Sequence, residues 1–348
     1  MGTSTASPVA EATVAVLLGG RSSEREVSLV SGRALLEALR PAGGGADERG
    51  PARALAVEIE ADGRWRVGDR SLTPTAALEA LADVDVFFLG LHGGEGEGGV
   101  LQGLFEAAGR AFTGSGVAAS ALCLDKINAR LVAEAHGLRT ARALAVTAAG
   151  WTEMRPAVLA ELERWGPAWV AKPRHGGSSV GTAVVREAGA LAEAIGLALA
   201  EGDDVLVEEC IPGVEATVAV LGNSTQSLRT FPPVEIRPKE GRFFDYEEKY
   251  DEGGAEEFCP PETLDAEACA TLQEQGLRAY RALGCSGYAR IDFMVPAEGP
   301  PVFLEANTLP GFTARSLFPR AAAVEGLDFR SLCLELLRLA LAERAARG

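Results

Sequence analysis

A short apolar run, Thr13–Leu18, stops at Gly19-Gly20, and a helical pattern begins a few residues later. This unit constrains the fold more than any other part of the chain. A β-branched apolar run of that length, ended by glycines, reads as a buried strand. Ser22 and Ser23 stand where they can cap a helix running from about Glu24 to Leu39. Further strands are predicted over Ala52–Glu58, Arg64–Val67 and Val84–Leu91, the last running into His92-Gly93-Gly94, while the Gly/Pro-rich stretch Pro41–Gly50 reads as loop. Strands that alternate with helices predict an open parallel α/β sheet. We assign it to residues 13–115, with residues 1–12 as a disordered tail. Such sheets bind ligands in the crevice beyond the carboxyl ends of their strands. Glu24 and His92 both fall there, although helix-dipole complementarity alone would also explain Glu24.

The pattern changes after residue 115. A helix is predicted over Val117–His136, then a strand at Ala168–Lys172, a Gly/Ser loop at 176–179 and a strand at Val180–Val185. A helix at Glu187–Leu199 and a strand at Asp204–Glu209 follow. This order fits a small α+β unit with an antiparallel sheet, residues 116–211. The remainder, 212–348, holds strands at Glu215–Leu221, Tyr288–Val295 and Pro301–Ala306 and closes with a helix over Phe329–Ala345.

Three segments carry chemistry. The loop from Lys172 to Gly181 places glycines and the hydroxyls of Ser178 and Ser179 after a lysine. Backbone N–H groups in such a loop can approach phosphate oxygens, with the ammonium as a point charge. The lysine precedes the glycines and a strand follows, so this is not a Walker A loop. A plain hairpin would look the same locally. In Arg290-Ile-Asp292 and Glu305-Ala-Asn307, residues two apart share one strand face. If Pro296–Pro300 joins the two strands as a hairpin, Asp292, Glu305 and Asn307 converge. Hard oxygen ligands of this kind suit Mg²⁺, with nucleotide phosphates completing the shell; a solvated face with a salt bridge is the plain alternative. The third segment, Phe243–Tyr250 with the acidic, Gly-rich residues through Glu257, reads as a lid or a surface loop, Lys249 reaching phosphate and Tyr250 closing a pocket.

Composition excludes several classes. The net charge of −16 disfavours nucleic acid and anionic membrane surfaces as partners, so phosphate must bind in a local basic pocket. No apolar run approaches the ~18 residues of a membrane helix, and no charged region precedes Val14–Leu18 as in a secretory signal. The six scattered cysteines read as reduced thiols in a cytoplasmic protein.

Seven segments in order give the chain a family resemblance that runs from about Val14 to Leu341. They are Val16–Ser28, Leu91–Glu97, Thr113–Gly116 with Asp125-Lys126, Lys172–Gly181, Asp245–Tyr250, Gly287–Asp292 and Glu305–Thr313. Together they resemble the D-alanine–D-alanine ligases of the ATP-grasp superfamily. The resemblance implies a mixed α/β and α+β fold: an N-terminal open parallel α/β domain, a small central antiparallel α+β domain and a C-terminal α+β domain with a lid at 243–257. It implies ligation of two D-alanines through a D-alanyl phosphate, for peptidoglycan precursor synthesis. A related ligase using D-lactate or D-serine as second substrate is the alternative. The lactate-using relatives lack the tyrosine found here at 250. ATP and two Mg²⁺ ions, or Mn²⁺, would be required, and a homodimer is expected.

By the same resemblance, Lys126, Lys172, Ser179, Phe243 and Lys249 contact the nucleotide, Glu208, Glu209 and Ile211 line adenine, and Glu215 meets the ribose. Asp292, Glu305 and Asn307 hold metal. Glu24, Ser178 and Tyr250 form a hydrogen-bonded triad near the amino acids. Arg290 and the Gly311 N–H stabilise an oxyanion, while His92, Ser316 and Leu317 contact the amino-acid substrates. The chain has Gly98 where the family commonly has Asp, and Glu209 where some members have Lys.

Overall fold

Six consecutive buried residues make β1 (Thr13–Gly19) an interior strand. The computed structural model describes residues 9–40, 50–177, 180–202, 204–223, 228–237 and 255–347. β1 pairs in parallel with β2 (Arg53–Ile59) and with β5 (Val86–Leu89), which pairs in parallel with β6 (Ala111–Phe112). β3 (Trp65–Val67) and β4 (Arg70–Leu72) extend the β2 edge as an antiparallel meander, giving the order β4-β3-β2-β1-β5-β6. The expected sheet was parallel throughout; the edge differs because its links are too short for the crossover that parallel pairing needs. Val9 and Ala12, expected in the tail, are buried, and Val9 joins the first core.

α1 (Arg25–Leu39) packs on this sheet. Its Gly32 lies so close to Leu18 that a Cβ there would overlap the leucine Cβ. Glu24, rather than Ser22 or Ser23, occupies the N-cap. The Ser22 hydroxyl accepts from the Glu24 N–H at 3.3 Å and donates to the His92 carbonyl at 2.8 Å, joining the helix start to the loop after β5. α2 (Pro74–Ala80), α3 (Gly94–Glu97) and α4 (Val100–Ala107) complete the unit.

The helix predicted over 117–136 is two helices, α5 (Val117–Leu124) and α6 (Lys126–Ala135). Asp125 breaks them because its carboxylate caps α6, accepting from the Asn128 N–H at 3.0 Å. Both helices contact β17 (Val302–Asn307). Cys123, Ala129 and Ala133 belong to the core of the third sheet, so packing assigns 117–135 to that sheet although chain order placed them in the central unit. β7 (Arg139–Thr140) likewise pairs with β17.

The central sheet is antiparallel, as expected, with order β10-β9-β11-β8: β8 (Ala143–Thr147), β9 (Trp169–Pro173), β10 (Ala183–Val185) and β11 (Asp204–Glu209). α8 (Leu191–Glu201) covers it, as does α7 (Ala148–Glu163), which was not anticipated. α7 is capped by Thr147 and interrupted at Met154, two residues before Pro156.

The third sheet runs β15-β14-β12-β16-β17-β7, built from β12 (Val214–Leu221), β14 (Val234–Arg237), β15 (Glu256–Phe258) and β16 (Tyr288–Val295), with β13 (Arg229–Thr230) on β12. α9 (Ala266–Ala282) packs on β12 and β16. α10 (Leu317–Val324) and α11 (Phe329–Arg347) join this sheet to the first. Their Phe318, Leu332, Leu336 and Leu337 share one core with Val16, Phe87 and Phe88. Among the described residues, no helix is long and apolar enough to cross a membrane.

Candidate active site

The three sheets face one cavity of about 640 Å³. Its walls include Glu24 and His92 from the first unit, Lys172, Glu208, Glu209 and Ile211 from the central sheet, and Lys126 from the start of α6. Glu215, Arg290, Asp292, Glu305 and Asn307 of the third sheet and Gly311, Ser316 and Leu317 beyond it complete the set. Five expected site residues, Ser178, Ser179, Phe243, Lys249 and Tyr250, lie outside the described residues, as does most of the expected lid.

Strand register explains the cluster on β16 and β17. Asp292 pairs with Glu305 and Arg290 with Asn307, so alternate residues of neighbouring strands face one way. Ile291 and Ala306, between them, are buried in the core behind. Asp292 is the centre of the polar network. It accepts from Arg290 Nε at 2.9 Å, from a terminal Arg290 nitrogen at 2.8 Å, from Asn307 Nδ2 at 2.9 Å and from Thr217 Oγ1 at 2.6 Å. The bidentate pairing fixes the guanidinium plane. Because Asn307 gives its nitrogen to Asp292, its oxygen is the end that can meet a cation. Two carboxylates and one amide oxygen form a hard but incomplete donor set. It lacks the third His, Cys, Asp or Glu of a self-sufficient cluster, and none occurs among the described residues. Such a set suits a cation whose shell is finished by phosphate oxygens.

Two lysines reach the same cavity, Lys172 from the central sheet and Lys126 from the start of α6. Lys126 donates Nζ to the Gly176 carbonyl at 2.5 Å and lies 3.6 Å from Glu305. Buried Lys172 meets buried Glu208 at 2.5 Å. Arg174, which sequence reasoning passed over, positions the glycine loop. Its guanidinium bridges Asp125 at 2.7 Å and Asp204 at 2.9 Å, while its carbonyl accepts the Lys126 N–H. Burial pushes the Asp125 carboxyl up, but the hydrogen bonds from Arg174 and Asn128 outweigh it and hold the group below its ordinary range.

The first unit supplies a buried acidic wall. A Cβ on Gly93 would overlap Glu24 Oε2, and one on Gly177 would lie 2.5 Å from it, so both glycines make room for this carboxylate. His92 approaches Ser31 Oγ through Nε2 at 2.8 Å and the Leu309 carbonyl through Nδ1 at 2.9 Å. A carbonyl can only accept, so the hydrogen belongs on Nδ1 and the serine donates to Nε2. Burial lowers the His92 pKa, which keeps this tautomer neutral. Glu97 accepts the Gly93 N–H at 3.2 Å and the Leu309 N–H at 3.5 Å. Burial, followed by the neighbouring Glu24 charge, raises its pKa to about 7. At the far end, Ser316 precedes α10 and accepts the Thr313 N–H at 3.0 Å, with no side chain capping the helix.

The loop around Gly98 is held without the family's aspartate. Glu97 binds Gly93, and Gln102 Nε2 donates to the Gly96 carbonyl at 2.8 Å. A Cβ on Gly98 would lie 2.9 Å from both the Gly94 carbonyl and Leu124 Cδ2, so the leucine occupies space an aspartate would need. Gly98→Asp should therefore destabilise the protein by about 1–3 kcal/mol, the usual cost of overpacking. Leu124→Ala in the same chain should recover part of that loss in a thermal-melt double-mutant cycle. Strict additivity would count against the steric account.

Comparison with known proteins covers almost the whole chain. The family model for the D-ala D-ala ligase N-terminus matches residues 13–115, and that for the D-ala D-ala ligase C-terminus matches residues 132–338. A D-alanine–D-alanine ligase of Synechococcus sp. (strain JA-3-3Ab) is 40% identical over 334 residues, 96% of this chain and 94% of that protein. One from Bordetella petrii is 40% identical over 324 residues, 93% of this chain and 90% of its own. The solved structure of the VanG D-Ala:D-Ser ligase from Enterococcus faecalis superposes with a TM-score of 0.79 at 32% identity, covering 95% of this chain and 99% of the other. The D-alanine–D-alanine ligase of Bacillus anthracis complexed with ATP gives 0.76 at 27% identity, covering 97% and 100%.

Proposed function

The chain belongs to the D-alanine–D-alanine ligase family, and from that premise we propose how its residues carry out the reaction. It is an ATP-dependent, ADP-forming ligase with the ATP-grasp fold, and it joins two D-alanines for peptidoglycan synthesis. The observation that supports the assignment of roles is the convergence of Lys126, Lys172, Arg290, Asp292, Glu305 and Asn307 on one cavity.

In this reading a carboxylate oxygen of the first D-alanine attacks the γ-phosphorus of ATP. The bond to the bridging oxygen breaks and ADP leaves, giving D-alanyl phosphate. Lys126 and Lys172 lie where they can balance phosphate charge, and Lys172 exchanges its Glu208 partner for the nucleotide. Glu208, Glu209 and Ile211 line adenine, and Glu215 meets the ribose. Asp292, Glu305 and Asn307 would hold Mg²⁺ or Mn²⁺, which supplies charge neutralisation at the phosphates. The ammonium of the second D-alanine gives a proton to the Glu24–Ser178–Tyr250 network, and the freed amine attacks the acyl carbon. The tetrahedral oxyanion collapses, expelling phosphate and leaving the peptide bond. Arg290 and the Gly311 N–H receive that oxyanion, and Glu24 with Ser178 and Tyr250 orients the amine. The N–H groups at the start of α10, beside Ser316 and Leu317, suit the second carboxylate. His92 stays neutral and donates to Leu309, so it shapes the substrate wall without carrying charge. We further propose a cytoplasmic homodimer, which sedimentation can test.

A phosphate-release assay over D- and L-amino acids and D-hydroxy acids tests this reading. D-Alanine alone should drive turnover, with one ADP per dipeptide, and D-lactate or D-serine should be poor second substrates. Tyr250 in the sequence supports that choice over D-lactate, while the resemblance to a D-Ala:D-Ser ligase makes D-serine the competitor to include. Faster turnover with either competitor as second substrate would reverse the assignment.

A further inference from the structure

Leu309 has both of its backbone polar groups held by side chains from a six-residue stretch of the first unit. His92 Nδ1 donates to its carbonyl at 2.9 Å, and Glu97 accepts its N–H at 3.5 Å. The other Glu97 oxygen accepts the Gly93 N–H at 3.2 Å, which anchors the carboxylate to the loop carrying His92. All of these groups are buried, and they bridge the first unit to the end of β17. The residue after Leu309 is Pro310, also buried, and the next is Gly311. Proline fixes φ, so the link from Leu309 to Gly311 has few degrees of freedom. A displacement at Leu309 is therefore passed to Gly311.

We infer that Glu97 is a positioning residue for the ligation reaction: by holding the Leu309 N–H it fixes the Leu309–Pro310–Gly311 turn and so aims the Gly311 N–H at the reacting carbonyl. This rests on the reading that Gly311 and Arg290 stabilise the oxyanion. The same carboxylate also holds the Gly93 N–H, so thermal melts must accompany any test of its role. Burial and the Glu24 charge both work against ionising it, and its pKa of about 7 reflects that. The two N–H groups are what favour the charged acceptor. A glutamine in its place has one acceptor oxygen for two N–H donors and sets its own NH₂ against the other.

The test is steady-state kinetics on Glu97→Gln and Pro310→Gly, with thermal melts and ATP binding as checks of folding. Glu97→Gln should lower kcat about 10-fold to 10²-fold, as displacements of an ångström or less at a site can do, while KM for ATP changes less than about two-fold. Pro310→Gly leaves Glu97 in place but loosens its link to Gly311, and should give the same kcat-selective loss. That variant keeps the test decisive if Glu97→Gln does not fold. Unchanged kcat in either folded variant, or a loss shared equally with ATP affinity, overturns the inference. Arg290→Ala is run alongside. If it falls while Glu97→Gln does not, only the Glu97 role is lost. If Arg290→Ala keeps full turnover, the oxyanion reading fails and takes this inference with it.

Discussion

Arg290→Ala should lower kcat by about 10²-fold or more, the usual cost of removing one oxyanion donor, and should leave KM for ATP nearly unchanged. The guanidinium is held at two points by Asp292, at 2.9 and 2.8 Å, so its orientation is set before substrate binds. Donors fixed in advance are the ones that stabilise a charge that develops only in the transition state. Arg290→Lys should not rescue the rate, since an ammonium cannot reproduce the planar, two-point pairing. Loss of the arginine also leaves Asp292 without its cation. Thr217 and Asn307 still donate to that carboxylate, so we expect the variant to fold. ADP release measured beside a thermal melt separates the two effects. Near-wild-type turnover in a folded Arg290→Ala protein would remove Arg290 from the mechanism.

The parts of this site legible in the sequence are those governed by short periods. Alternation in Arg290-Ile-Asp292 and Glu305-Ala-Asn307 placed four side chains on one face, because strand geometry is two-residue periodic and the intervening Ile291 and Ala306 demand a core. The glycine-bounded strand and helix that set Glu24 were legible for the same local reason. Residue resemblance, rather than periodicity, supplied the roles of Lys126, Ser316 and Gly311. What escaped is tertiary. Asp125 breaks a helix that apolar spacing had run straight through, although Asp followed three residues later by Asn was a readable cap. Arg174 looks like one more basic residue until Asp125 and Asp204 are brought to it. Glu97 ends a short Gly-rich helix with no pattern of its own, and its partner is Leu309, just past the end of β17. The space left by Gly98 is filled by Leu124, a pairing that no local signal announces.

Asp292→Asn should be at least as damaging as Arg290→Ala, and for two separable reasons. The first is charge. Asp292 is buried, and with Glu305 and Asn307 it forms the hard-oxygen face proposed to hold Mg²⁺. Replacing one of two carboxylates should raise the Mg²⁺ concentration for half-maximal rate and lower kcat by about 10²-fold or more, beyond the 10–100-fold typical of a residue that only supports a ligand. The second is hydrogen bonding. Four donor contacts converge on the carboxylate, two from Arg290 and one each from Thr217 and Asn307. An asparagine turns one acceptor oxygen into a donor that faces other donors, so Arg290 loses its fixed plane as well. The two residues should then behave as one unit. Arg290→Ala in an Asp292→Asn background should cost far less than it does alone, as expected when a first change has already disabled the shared element. Multiplicative losses in the double variant would mean that Asp292 and Arg290 act independently. An unchanged Mg²⁺ requirement in Asp292→Asn would leave Asp292 as the holder of Arg290 alone and exclude it from the cation's shell.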